Sequence, residues 1–274
     1  MRISTRSALL FAAATSLSAQ WVTYPTPGIP RTRDGKPNLT APAPRTPEGK
    51  PDFSGLWQVQ PSPWAEIKPI VGNMNDVFAP GDDLAEFSKY GLNILADFKP
   101  SEAPIKPEAL AAMRQRKPEH SPCLPPSVSF VDLVPATIKW IQTPGLIAIL
   151  QEAGFNFRQV YLDGRKVPAD PQPLWLGYSV GKWEGDALVV DTTGFNDKTT
   201  LDALGHPHSE ALHLTERYRR RDFGHLDVEL TIDDPVIYTR PFTVKYTDVL
   251  QADTDILESV CEENERDVKH IPKP

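Results

Sequence analysis

From Ser127 onward the chain alternates short apolar, β-branched and aromatic runs with turn residues. The pattern predicts strands over 128–134, 137–142, 145–151, 155–162, 174–181, 186–192, 211–220, 226–233, 242–249 and 255–261. Tight connections such as Asp163-Gly164-Arg165 and Glu184-Gly185-Asp186 make this an antiparallel meander, so the expected fold is mainly β, closing into a barrel or stacking as a sandwich. Gly55-Leu56-Trp57 supplies the start of an earlier strand. Between 82 and 116 the period changes. Asp82 or Asp83 caps a segment with apolar Leu84, Phe87, Leu92 and Leu95 at helical spacing, and Pro107 opens a second helix through Arg116. This short helical stretch reads as an insertion or cover in a single β-rich domain over 52–266, with a tail over 267–274.

One hairpin can be registered from the alternation alone. With Arg221 to His225 as the loop, Arg220 pairs with Leu226, Tyr218 with Val228, Glu216 with Leu230 and Leu214 with Ile232 on one face. On the other face Arg219 meets Asp227, Arg217 meets Glu229, Thr215 meets Thr231 and His213 meets Asp233. Two of these pairs oppose arginine to a carboxylate, and each such cross-strand pair contributes roughly 0.2–1 kcal/mol. This register puts Glu216 on the apolar face, where a carboxylate must be paired, protonated or turned into a cavity. Its expected partner is Arg220, a histidine or a cation from another strand.

Proline divides the chain: nineteen of the 29 lie in residues 1–126, which makes residues 20–51 an extended arm. Within the arm a short motif occurs twice, Asp34-Gly35-Lys36-Pro37-Asn38-Leu39-Thr40 and Glu48-Gly49-Lys50-Pro51-Asp52-Phe53-Ser54, read as two similar turns. Arg2 and Arg6 precede the apolar run Ala8–Ala14, and small residues follow to Ala19. That layout predicts a signal peptide over 1–19 and a location in the periplasm or outside the cell. The run is too short for a membrane span, which needs about 20 apolar residues. Losing both arginines takes the net charge from −7 to −9 and disfavours nucleic acid as a partner. In an oxidising compartment Cys123 and Cys261 are expected to form a disulfide.

Gly177-Tyr178-Ser179-Val180-Gly181-Lys182-Trp183-Glu184-Gly185-Asp186-Ala187-Leu188-Val189-Val190-Asp191, with Phe157–Arg165 before it and Ser209–Tyr218 and Cys261–Glu265 after it, resembles a family of uncharacterised exported proteins of soil bacteria such as acidobacteria. The resemblance covers about residues 51–266 and implies no particular activity. Gly55-Leu56-Trp57 is also similar to the Gly-x-Trp of lipocalins, whose lipocalin/calycin-like barrels enclose a small apolar ligand.

Candidate chemistry concentrates between 196 and 217. His206 and His208 would share one side of an extended segment, a spacing suited to a divalent metal, against the plainer alternative of a turn with hydrogen-bonding histidines. His213 and Glu216 are candidate acid–base residues. Trp64, Trp140, Trp175 and Trp183 are either core aromatics or a sugar-stacking platform. No G-x-S-x-G, G-x-G-x-x-G or P-loop motif occurs. The expected function is binding of a small molecule in a cavity lined by Arg158, Tyr178, Trp183, Tyr218 and Arg220. The alternative is a secreted hydrolase or lyase using a His/Glu site, metal-assisted or not, on a small organic or glycoside substrate.

Overall fold

The computed structural model describes residues 25–72, 84–115, 127–152, 156–168 and 171–256. Nine strands form one closed barrel: β1 (Gly55–Val59), β2 (Ile138–Gln142), β3 (Leu146–Gln151), β4 (Phe157–Tyr161), β5 (Tyr178–Glu184), β6 (Ala187–Thr193), β7 (His213–Arg220), β8 (His225–Asp233) and β9 (Phe242–Leu250), with β9 returning to β1 through Trp57 opposite Leu250. The β7–β8 register is the one the sequence predicts, pair for pair. Side chains alternate in and out, so every second residue of β8, from Leu226 to Ile232, is buried.

Three features depart from a simple meander. β4 and β5 run parallel, with Val160 opposite Ser179, because residues 162–177 cross from one end of the barrel to the other before β5 begins. Hence β5 starts at Tyr178 and not at 174; Leu174 makes only an isolated bridge to Phe195. The segment expected as a strand over 128–134 is a helix, α4 (Val128–Leu133), and Asp255 and Ile256 lie beyond the last described strand.

The β1–β2 connection carries the helical cover: α1 (Trp64–Val71), a 3-10 turn over Leu84–Glu86, α2 (Lys89–Leu92), α3 (Pro107–Gln115) and α4. The helix expected from Asp82 or Asp83 is broken near Ser88, whose hydroxyl caps α2 by accepting from the Tyr90 N–H. Tyr90, Ile94, Leu95 and Leu133 pack with Leu214, Ile232 and Phe242 at one end of the barrel. A second apolar cluster, with Trp57, Trp140, Ile147, Leu188 and Leu226, fills the interior towards the other end.

That other end is closed by the arm. In each copy of the repeated motif the Thr N–H (Thr32, Thr46) donates to the Lys carbonyl four residues on, and a glycine at positive φ, Gly35 or Gly49, makes the turn. Each copy also carries an arginine that reaches a barrel aspartate: Arg31 pairs with Asp253 after β9, and Arg45 with Asp186 in the β5–β6 turn. Eight residues after each arginine an apolar side chain plugs the barrel end, Leu39 against Gly224 and Phe53 fully buried in the core.

Candidate functional site

The interior of the barrel is not uniformly apolar. Inward positions on five strands and on α4 carry Arg158, Ser179, Thr192, Glu216, Tyr246, Asp248 and Asp132, each of the charged ones at most 8% exposed. Arg158 and Glu216 lie on strands that do not pair with each other, so their contact spans the interior. Arg158 Nη1 donates to Glu216 Oε1 at 2.8 Å, and Nη2 donates to Glu216 Oε2. Its remaining donors reach Ser179 Oγ at 2.9 Å from Nε and Thr192 Oγ1 at 2.7 Å from Nη2. Tyr218 Oη donates to Glu216 Oε1 at 2.6 Å. A bidentate pair with this degree of hydrogen bonding is the geometry in which two buried charges offset their loss of water. Burial works against the Arg158 charge, but Glu216 holds its pKa above the ordinary value.

Asp132 reaches the same cluster from α4, with Oδ2 3.9 Å from Arg158 Nη1. Burial first, then the nearby Glu216 carboxylate, push its pKa up to about 7, against the pull of Arg158. Asp248, on β9, is raised well above the usual carboxylate range by burial and then by Asp132.

Both carboxyls therefore hold protons more tightly in the folded chain than in the unfolded one. The stabilisation from Asp132 is complete below the ordinary value of 3.8 and is lost as pH rises through about 7, and that from Asp248 runs in the same direction. Urea midpoints should accordingly fall between pH 4 and pH 8, and Asp132→Asn should flatten that slope. A midpoint that climbs over the same range would show that neither carboxyl is protonated in the folded state.

Beside the satisfied pair lie polar atoms without a hydrogen-bond partner among the described residues: Trp140 Nε1, Gln151 Oε1 and Nε2, and Asp248 Oδ1. All three side chains are at least nine-tenths buried and sit at inward positions of β2, β3 and β9. Gln151 pairs with Ile138, two residues from Trp140 on β2, so those two are diagonal neighbours on one face. An unpartnered buried donor or acceptor costs about 1–3 kcal/mol.

No family model, curated protein or solved structure matches this chain. Function therefore has to be argued from the chemistry of this interior.

Of the residues expected at a site, Arg158, Glu216 and Tyr218 meet in the barrel. Arg220 does not join them. Four residues along β7 from Glu216, about 13 Å of strand, it donates instead to the carbonyls of Asp52 and Phe223. His213 is three residues from Glu216 on the same strand and so on the opposite, outer face, where it contacts Asp191 at 3.2 Å. The proposed acid–base couple is thus split by the sheet. Tyr178 is also outside, stacked on Tyr161 with ring centroids 5.3 Å apart. Trp183 packs on Phe53 at the arm end.

The four tryptophans weighed as a platform do not converge: Trp140 is inside, while Trp64 is half exposed on α1. His206 and His208 are both buried in the β6–β7 connection, each ring with its own partner. His206 Nδ1 contacts Asp202 Oδ2 at 2.5 Å, and His208 Nε2 contacts Thr199 Oγ1 at 2.6 Å. Among the described residues no group of three or more His, Cys, Asp or Glu side chains is placed to hold a metal ion. Asp202 also accepts from the Ile94 N–H at 2.6 Å, while Ser127 and Ser129 of the α4 region donate to the Thr200 and Leu201 carbonyls. The histidine loop is thereby part of the scaffold from which α4, and so Asp132, is hung. The signal peptide, Cys123 and Cys261 lie outside the described residues.

Sequence reasoning passes over Asp132, Asp248 and Gln151, and weighs Trp140 only as a core aromatic or part of a sugar-stacking platform. Three of the four carry a readable signal. Asp248 and Gln151 interrupt the inward apolar series Phe242-Val244-Tyr246 and Ile147-Ile149 in the way Glu216 interrupts its own strand. Trp140 continues the inward series from Ile138.

Proposed function

We propose that this is an exported protein that binds a small, neutral organic molecule inside the barrel. The supporting observation is the set of unpartnered polar atoms on Trp140, Gln151 and Asp248 beside an Arg158 already neutralised by Glu216. With Arg158 the only buried cation facing this interior among the described residues, and with carboxyls that favour their protonated forms, an anionic guest gains little. A guest with an acceptor for the Trp140 N–H and both a donor and an acceptor for the Gln151 amide satisfies the atoms left over. A lipocalin-like mode of enclosure, a leader removed near Ala19 and a Cys123–Cys261 disulfide complete the proposal. They rest on the sequence pattern and the oxidising compartment it implies. No helix among the described residues is long and apolar enough to cross a membrane.

One native mass measurement on protein collected from the periplasm tests these parts separately. It should show loss of the leader, a mass two hydrogens below the reduced value, and an added organic mass released on denaturation. Trp140→Phe keeps the ring and removes the N–H, so it should lower occupancy at least tenfold, or about 1.4 kcal/mol. Protein that carries no organic mass, and a Trp140→Phe variant that is simply more stable, would show that the interior is only a core.

Catalysis is the second reading, favoured by one observation: Asp132 has a pKa of about 7, where a carboxyl can take and return a proton near neutral pH. In that reading the guest is the substrate of a hydrolase or lyase. Turnover should then inflect near pH 7 and be abolished in Asp132→Asn.

A further inference from the structure

At the arm end, away from Asp132, the arm and the barrel rim form a cleft of about 360 Å³. Its walls include Ile29, Leu56, Phe223 and Leu250, and its charged lining is Arg220 and Lys139 with Asp52 and Asp255. Arg220 is only 6% exposed, with its guanidinium 4.9 Å from the Trp57 ring and 5.2 Å from the Phe223 ring. Three of its donor groups are used. Nε and Nη2 donate to the Phe223 carbonyl and Nη1 to the Asp52 carbonyl. A guanidinium has five N–H bonds, so two remain.

The acceptors are the telling feature, because both are uncharged carbonyls. Of the two buried arginines among the described residues, Arg158 has a carboxylate within ion-pair distance and Arg220 has none. The nearest acids are engaged elsewhere: Asp52 Oδ1 accepts from the Ser54 N–H at 2.8 Å, and Asp222 Oδ1 accepts from the Gly224 N–H at 3.1 Å. Burial, opposed by the more distant charges of Asp52 and Asp222, lowers the Arg220 pKa to about 10, which leaves it charged at neutral pH. Lys139 is paired with Asp255 at 2.7 Å.

Asp52 and Asp222 act on it only from beyond ion-pair distance, and a carboxylate that engages the two spare N–H bonds would offset more of the cost of burying the charge. The volume falls in the range of small-ligand sites, roughly 300–1,000 Å³. Apolar walls favour an organic anion over an inorganic one.

We infer that this cleft is a second binding site, for a small organic carboxylate with a flat apolar body held by Arg220. It is independent of the guest proposed for the barrel interior, which the chemistry there selects as neutral.

Benzoate is the probe, with benzyl alcohol as the uncharged counterpart and inorganic phosphate as the anion without an apolar body. Titrated into the full chain and followed by the indole resonances, benzoate should shift Trp57 and leave Trp140 in place. Benzyl alcohol and phosphate should each bind at least tenfold more weakly. Arg220→Gln should abolish benzoate binding. Because Arg220 also ties down the Asp52 and Phe223 carbonyls, Thr254→Trp serves as a second variant. It fills the cleft from its lining, leaves the Arg220 contacts intact and should reduce benzoate affinity by a similar factor. Equal affinity for benzyl alcohol, binding that survives Thr254→Trp, or shifts confined to Trp140 would overturn the assignment. Shifts confined to Trp140 would place the carboxylate in the barrel interior and so contradict the neutral guest proposed there as well.

Discussion

Glu216→Gln should lower the unfolding free energy by about 3–5 kcal/mol, the range for removing one partner of a buried ion pair. Glutamine keeps the shape and an acceptor for Tyr218, but it leaves the Arg158 charge buried with Asp132 as the nearest described counter-charge, 3.9 Å away. Urea unfolding at pH 7 measures the loss. A double replacement, Arg158→Met with Glu216→Leu, should recover most of it, since the penalty comes from one uncompensated charge and not from the absence of the pair. A further readout separates this account from simple misfolding. With Glu216 neutral, Arg158 acts on Asp132 without its rival, so the Asp132 pKa should drop from about 7 towards the ordinary range. A destabilisation under about 1 kcal/mol with Asp132 unchanged would mean that the pair carries no such load.

Gly91→Ala should be the next most damaging single change, at about 1–3 kcal/mol for forcing a methyl into a filled space. The added carbon would lie 2.3 Å from the Leu133 carbonyl oxygen and 2.9 Å from its carbon. Both are backbone atoms, so α4 itself has to move, and Asp132 is the residue before Leu133. The expected signature is therefore double: a lower thermal midpoint and a changed Asp132 titration. An unchanged midpoint would place α4 farther from α2 than the structure has it.

The barrel was legible wherever apolar and polar positions alternate and charges check the register, as they do along β7 and β8. It was least legible where tertiary contacts override local preference. Residues 128–134 contain Val128, Phe130 and Val131, which favour a strand, yet they form α4 beneath Gly91, with Ser127 and Ser129 bonded to the Thr200 and Leu201 carbonyls. The parallel β4–β5 pair was hidden because nothing in a run of apolar residues reports the direction of its neighbour.

The same division applies to the site. That Glu216 points inward follows from its own strand, but its partner Arg158 sits across the interior on β4, a contact that no pairing rule supplies. The separation of His213 from Glu216, by contrast, was already present in their spacing: residues three apart on a strand face opposite ways. His206 and His208 stood out by composition, and the structure gives them neighbours through which the β6–β7 connection supports α4.

The pairing of β1 with β9 joins Trp57 to Leu250, on the first and last strands of the barrel. During synthesis, then, the cylinder has no way to close until β9 has been made. Before that moment the nascent chain has two raw sheet edges, the arrangement most open to pairing with other copies, and the long loop that must be shut makes folding slow. On the export route proposed above such a delay would help, since the chain is threaded through a membrane while still extended. A message cut short before Phe242, however, yields a product with no means of sealing itself.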